Sequence, residues 1–156
     1  MCWTSDESDA AIASALRREI QSYLAAHARE GDDANLDIAA LIIGELLANV
    51  VRYAPGRFCV ALDWRLEEPV LIVHDSGPGF ALEPEAAELH SESGRGLYIV
   101  SYFARHLRAD RLPSGGMRIA ATLPVARVRE PSLTPCPMQS PHLQNRPCTW
   151  PSASRA

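Results

Sequence analysis

The chain has 156 residues, 47% of them apolar, with 15 basic and 19 acidic side chains and a formal net charge of −4. That is enough material for one domain with a real core, and the acidic balance without any basic run excludes a general nucleic-acid binder. The polar, acidic start MCWTSDESDA lacks the basic stretch and apolar run of a secretion signal, and no segment is expected to span a bilayer, so a cytoplasmic location is the expectation.

Residues 1–8 read as a polar tail. From Asp9 to about Arg29, Ile12, Leu16, Ile20, Tyr23 and Leu24 recur at helical spacing and Gly31 stops the run, which predicts a first amphipathic helix. A second, more apolar helix runs from about Leu36 to Tyr53 and is closed by Pro55-Gly56. Arg57 to Leu66 alternates strictly, placing Phe58, Val60, Leu62, Trp64 and Leu66 on one face of a strand. After the turn Glu67-Glu68-Pro69, the run VLIVHD (70–75) is continuously apolar and reads as a central strand, ending at Asp75 in the loop SGPGF.

The stretch from Ala81 to Ser93 has too little apolar content for a core element and reads as a lid. A third helix beginning near Leu97 places Leu97, Val100, Ala104 and Leu107 on its buried side, and RADRL, PSGG and MRIAATLP then form a closing β-hairpin. Beyond Val125 the chain becomes Pro- and Ser-rich without periodicity, so residues 127–156 are expected to be a disordered tail after a domain spanning 9–126. The element order predicts one sheet covered on one side by helices, a two-layer α/β sandwich. Cys2, Cys59, Cys136 and Cys148 have no paired spacing and the five histidines do not cluster, so neither a disulfide framework nor a metal site is expected.

Candidate chemistry begins with two polar residues in the most apolar helix. Glu45 and Asn49 are one turn apart on the same side, beside Ile38 and Ile42. An unpaired Glu in a core costs on the order of several kcal/mol, so that side faces water, a partner or a pocket. A solvent stripe is the ordinary explanation for such a pair. Asp75, at the carboxyl end of a central strand, can accept a hydrogen bond from the exocyclic amine of a base, and the glycines after it let a flat ring approach the backbone. Gly94 and Gly96 stand just before the third helix, whose free N–H groups and dipole favour an anion such as phosphate. Arg52 and Arg95 invite assignment as phosphate contacts, but a solvent or salt-bridge role is the better reading for each. His74 points to the opposite face from Asp75 and is not counted as catalytic.

In this order and on these elements, the motifs resemble the GHKL superfamily of ATP-binding domains shared by gyrase B, MutL, histidine kinases and the anti-sigma-factor serine kinases. Glu45 and Asn49 match its N box, Asp75, Gly77 and Gly79 its first glycine box, and Gly94, Gly96 and Leu97 its second; Gly115-Gly116-Met117 stands where a Gly-Thr pair is usual. The resemblance covers roughly residues 10 to 125. It implies a Bergerat-type fold with one mixed sheet, ATP and Mg²⁺ as cofactors, Mg²⁺ on Asn49, adenine on Asp75, phosphates along Gly94, Arg95, Gly96 and Leu97, and Glu45 as the residue that orients or deprotonates the nucleophile. The Glu in the N box, the short lid and the two helices before the first long strand resemble most the anti-sigma serine kinases. That branch implies a sigma factor and an anti-anti-sigma (STAS-type) protein as partners, and a homodimer, with no direct nucleic acid and no membrane. A detached histidine-kinase catalytic domain and a non-catalytic, ATP-binding sequestering module are the alternatives. The family's usual first strand has no visible counterpart before Asp9, and Tyr53 and Met117 replace a frequent His and Thr.

Overall fold

The computed structural model describes residues 1–78, 92–113 and 115–128, with backbone alone at 92–95. Among these, the elements follow as β1 (Cys2–Ser5), α1 (Ala10–His27), α2 (Asp33–Tyr53), β2 (Phe58–Asp63), β3 (Val70–Asp75), α3 (Glu92–Phe103), β4 (His106–Arg111) and β5 (Met117–Thr122).

α1 starts where the sequence supplies a cap: the Asp9 carboxylate accepts the N–H groups of Ala11 at 2.6 Å and Ile12 at 3.3 Å. Its Leu16, Ile20 and Leu24 are buried against α2 and the sheet. α2 begins earlier than its apolar period predicts, because Asp32 organises the start. Asn35 Nδ2 donates to Asp32 Oδ1 at 2.5 Å, and the Ala126 N–H donates to Oδ2 at 2.8 Å. By length and composition α2 could cross a membrane, contrary to the expectation that no segment could. Its apolarity has another cause: α2 is the central helix, packed between α1 and α3 over the sheet, with Ile42, Ile43 and Leu46 fully buried.

The sheet has strand order β1-β2-β3-β5-β4. All four pairings are antiparallel, where a mixed sheet was expected. The crossover through α3 does leave β3 and β4 running the same way, but β5 returns between them, so the parallel strands never touch. Phe58, Val60, Leu62, Leu71, Val73, Ile119 and Ala121 form the face that meets the helices, which gives the expected two-layer α/β architecture.

Residues 2–5 are a correction. They belong to the sheet as edge strand β1, with Trp3 opposite Val60 and only 4% exposed, so the strand missing from the sequence reading is present. β2 stops at Asp63, short of the predicted Leu66. Trp64 remains buried, held by a bond from its Nε1 to the Glu67 carbonyl (3.0 Å), whereas Leu66 is 77% exposed. α3 begins at Glu92, not near Leu97, and ends at Phe103, so Leu107 lies in β4. Arg127 and Val128, expected in the tail, are tied down: their N–H groups donate to the carbonyls of Glu67 (3.2 Å) and His27 (3.0 Å). The remainder of the predicted tail, 129–156, lies outside the described residues.

Candidate nucleotide site

The site forms at the end of the sheet where β3 stops and β2 and β5 start. The register places Phe58, Asp75 and Met117 side by side across these three strands. Asp75 is 5% exposed. Its Oδ1 accepts the Gly77 N–H at 2.8 Å. Burial pushes its carboxyl above the usual carboxylate range, partly offset by the backbone N–H groups of Gly77 and Met117. A carboxylate held dry and fixed in this way is suited to accept from an amine that enters the site with its own water removed.

Two glycines shape the surroundings of Asp75. A Cβ at Gly77 would stand 2.9 Å from the Ala54 Cβ, so the loop after β3 lies directly on the end of α2. Gly116, at φ 87°, would drive a Cβ into the Asp75 carbonyl oxygen, and only glycine fits there. The tip of the β4–β5 hairpin therefore braces Asp75. Ala54 is a part of the site that sequence reasoning did not assign, whereas Gly116 and Met117 belong to the segment noted in the sequence where a Gly-Thr pair is usual. The doubled glycine at the hairpin tip was that segment's visible signal.

On the helical side, α2 and α3 meet through the N-box residues. A Cβ at Gly96 would lie 2.6 Å from Glu45 Oε2 and 3.6 Å from Asn49 Oδ1, so α3 approaches α2 over these two side chains. Asn49 is buried to 8% exposure, and its Nδ2 has no hydrogen-bond partner among the described residues. Glu45 is half-buried. Leu97 packs against the core beside them. Gly94 and Gly96 lie within α3 and not ahead of it. Within the helix as described, the N–H groups without intrahelical partners are those of Glu92, Ser93 and Gly94.

Gly79 and the expected lid as far as Ser91 lie outside the described residues, as does the side chain of Arg95. Arg52 is exposed at the end of α2. His74 does face the opposite side of the sheet, across from Arg118, and burial followed by that guanidinium pushes its pKa down.

No cluster of three His, Cys, Asp or Glu among the described residues could hold a metal ion alone. Asn49 suits a different arrangement. Its carboxamide oxygen would be a neutral ligand for a Mg²⁺ arriving with nucleotide phosphates, and the orphaned Nδ2 could donate to a phosphate.

The model of the histidine kinase-like ATPase domain matches residues 7–123. The chain belongs to that family. As a histidine kinase-like ATPase domain it has the GHKL ATP-binding architecture; among the described motif residues Gly96 meets Glu45 and Asn49, and Gly77 meets Asp75 and Ala54. Among solved structures the chain is similar to the mycobacterial sensor histidine kinase MprB, with 23% identity over 63% of this chain and 75% of that one and a TM-score of 0.45. No curated protein matches the chain.

Proposed function

We propose that the protein is a cytoplasmic ATP-dependent serine kinase of the anti-sigma type, which transfers the γ-phosphate of ATP to a serine of a STAS-type anti-anti-sigma protein and sequesters a sigma factor. The observation that carries this reading is the meeting of Glu45 and Asn49 with Gly96. On this reading the Glu45 carboxylate stands beside the triphosphate. Such a carboxylate matters for a hydroxyl acceptor. A serine must lose its proton as it attacks, whereas a neutral histidine already presents a lone pair near pH 7.

In this scheme Asp75 takes the adenine amine and fixes the base. Asn49 would hold Mg²⁺, which when bound would supply neutralisation of phosphate charge, and the first turn of α3 would face the phosphate oxygens. Glu45 accepts the proton of the attacking serine. Positioning and charge neutralisation account for most of the catalysis in phosphoryl transfer, so this small set suffices. Incubation with γ-labelled ATP and Mg²⁺ in the presence of a STAS-type partner tests the reading. Acid-stable label on a partner serine is the expected result. Acid-labile label on a histidine would assign a histidine-kinase catalytic domain instead, and tight ATP binding without transfer would assign a sequestering module.

A further inference from the structure

Cys2 and Cys59 are 57 residues apart in sequence, and nothing in their spacing joins them. The sheet does. Cys2 stands opposite Ala61 and Cys59 opposite Thr4, so both side chains leave the sheet on the face away from the helices, on a diagonal between adjacent strands. Their Sγ atoms are 3.5 Å apart, in contact but beyond the ~2.05 Å of an S–S bond. Cys59 is 6% exposed, while Cys2 is half-buried on the outermost strand.

We infer that Cys2 and Cys59 are a redox-responsive pair that closes into a disulfide and pins edge strand β1 to β2. Diagonal neighbours on antiparallel strands sit near the upper limit of disulfide reach, so the strands must draw together slightly. Among the described strands β1 has a bonded neighbour on one side alone, so a small shift of β1 disturbs one pairing. The more accessible Cys2 reacts first: its thiolate attacks a sulfur of a small-molecule disulfide such as oxidised glutathione, releasing one thiolate and leaving a mixed disulfide on Cys2. The Cys59 thiolate then attacks the Cys2 sulfur, forming the Cys2–Cys59 bond and expelling the second small thiolate. Two protein thiols lose two electrons and two protons, and the oxidant becomes two thiols. In a reducing compartment such a bond is transient and reports the thiol balance. The closed loop contains all of α1 and α2, a long segment whose tethering restricts the unfolded chain strongly.

The full chain carrying C136S and C148S, which leaves this pair as its remaining cysteines, is incubated with oxidised glutathione. The expected product is an intramolecular species lighter by two hydrogens, with a peptide linking residues 2 and 59. It should melt about 5 °C or more above the reduced protein, and dithiothreitol should restore the original Tm. Adding C59S should leave a stable glutathione adduct on Cys2 and no rise in Tm. Glutathione adducts that persist with Cys59 present, disulfide-linked dimers, or a 2–59 bond that lowers the Tm would overturn the inference. These readouts involve no nucleotide, so the inference stands or falls separately from the kinase reading.

Discussion

A methyl group at position 96 would stand 2.6 Å from Oε2 of Glu45, closer than carbon and oxygen pack, and this makes Gly96 a spacer between the Glu45 carboxylate and α3. Gly96→Ala improves helix propensity by about 1 kcal/mol, so its stability should change little while Glu45 is pushed off its position. The expected result is a Tm within a few degrees of the original and phosphotransfer reduced about 10-fold or more, measured by labelled-ATP turnover. Glu45→Ala separates chemistry from binding more sharply. ATP affinity, measured by titration calorimetry, should stay within about threefold, and transfer should fall at least about 100-fold; affinity lost in step with turnover would contradict the role of Glu45. Asp75 behaves differently because its buried charge disfavours folding without ligand. Its pKa is raised in the folded state, so the stability associated with its protonated form is present below the ordinary value of 3.8 and lost as pH rises through the raised folded value. Asp75→Asn should therefore gain in Tm relative to the wild type as pH rises over that range. It should also weaken ATP binding by about 1–3 kcal/mol, roughly 5- to 150-fold in Kd. A pH-independent Tm difference, or unchanged affinity, would remove Asp75 from its assigned place.

Strand β1 shows what an element's own sequence can and cannot announce. Four residues beside Asp6, Glu7 and Asp9 contain too few positions for a period to emerge, and the strand exists because β2 offers an edge for it to pair with. Its share of the core is large nonetheless. Trp3→Ala should cost about 3–5 kcal/mol by chemical denaturation, as for a buried tryptophan elsewhere in a core, whereas a polar tail would lose almost nothing. α2, β3 and β5 were legible because each has apolar spacing that outweighs local exceptions, whereas His106 and Leu107, read as the end of the third helix, open β4. The start of α3 was misread for the opposite reason. Glycine is a poor helix former, so Gly94 and Gly96 look like a loop, but contact with Glu45 requires a residue without a side chain inside the helix. In the candidate site, the approach of Gly96 to Glu45 and Asn49 follows the motif pattern legible in the sequence, whereas strand boundaries depend on packing partners distant in sequence.

At the scale of the molecule the sheet has two ends with separate tasks. One end carries Asp75, Gly77 and Gly116. The other fastens the chain beyond β5 to the rest of the fold. There the Arg127 guanidinium lies 5.9 Å from the Trp64 ring centroid and donates to the Trp64 carbonyl at 2.9 Å. Tyr23 and His27 stack at 4.2 Å beside Trp64, and Asp32 accepts the Ala126 N–H. None of these groups is among the residues assigned to the proposed nucleotide site, and β3 and β5 run the length of the sheet between the two ends. Arg127→Ala removes one cation–π contact and one hydrogen bond while leaving the backbone pairing of Ala28 with Arg127 in place. It should destabilise the fold by about 1–2 kcal/mol, seen as a lower denaturation midpoint, with ATP affinity and transfer unchanged at temperatures where the variant is folded. A drop in ATP affinity under those conditions would mean that the two ends are energetically coupled through the strands, and that the far end regulates the nucleotide site as well as holding the chain.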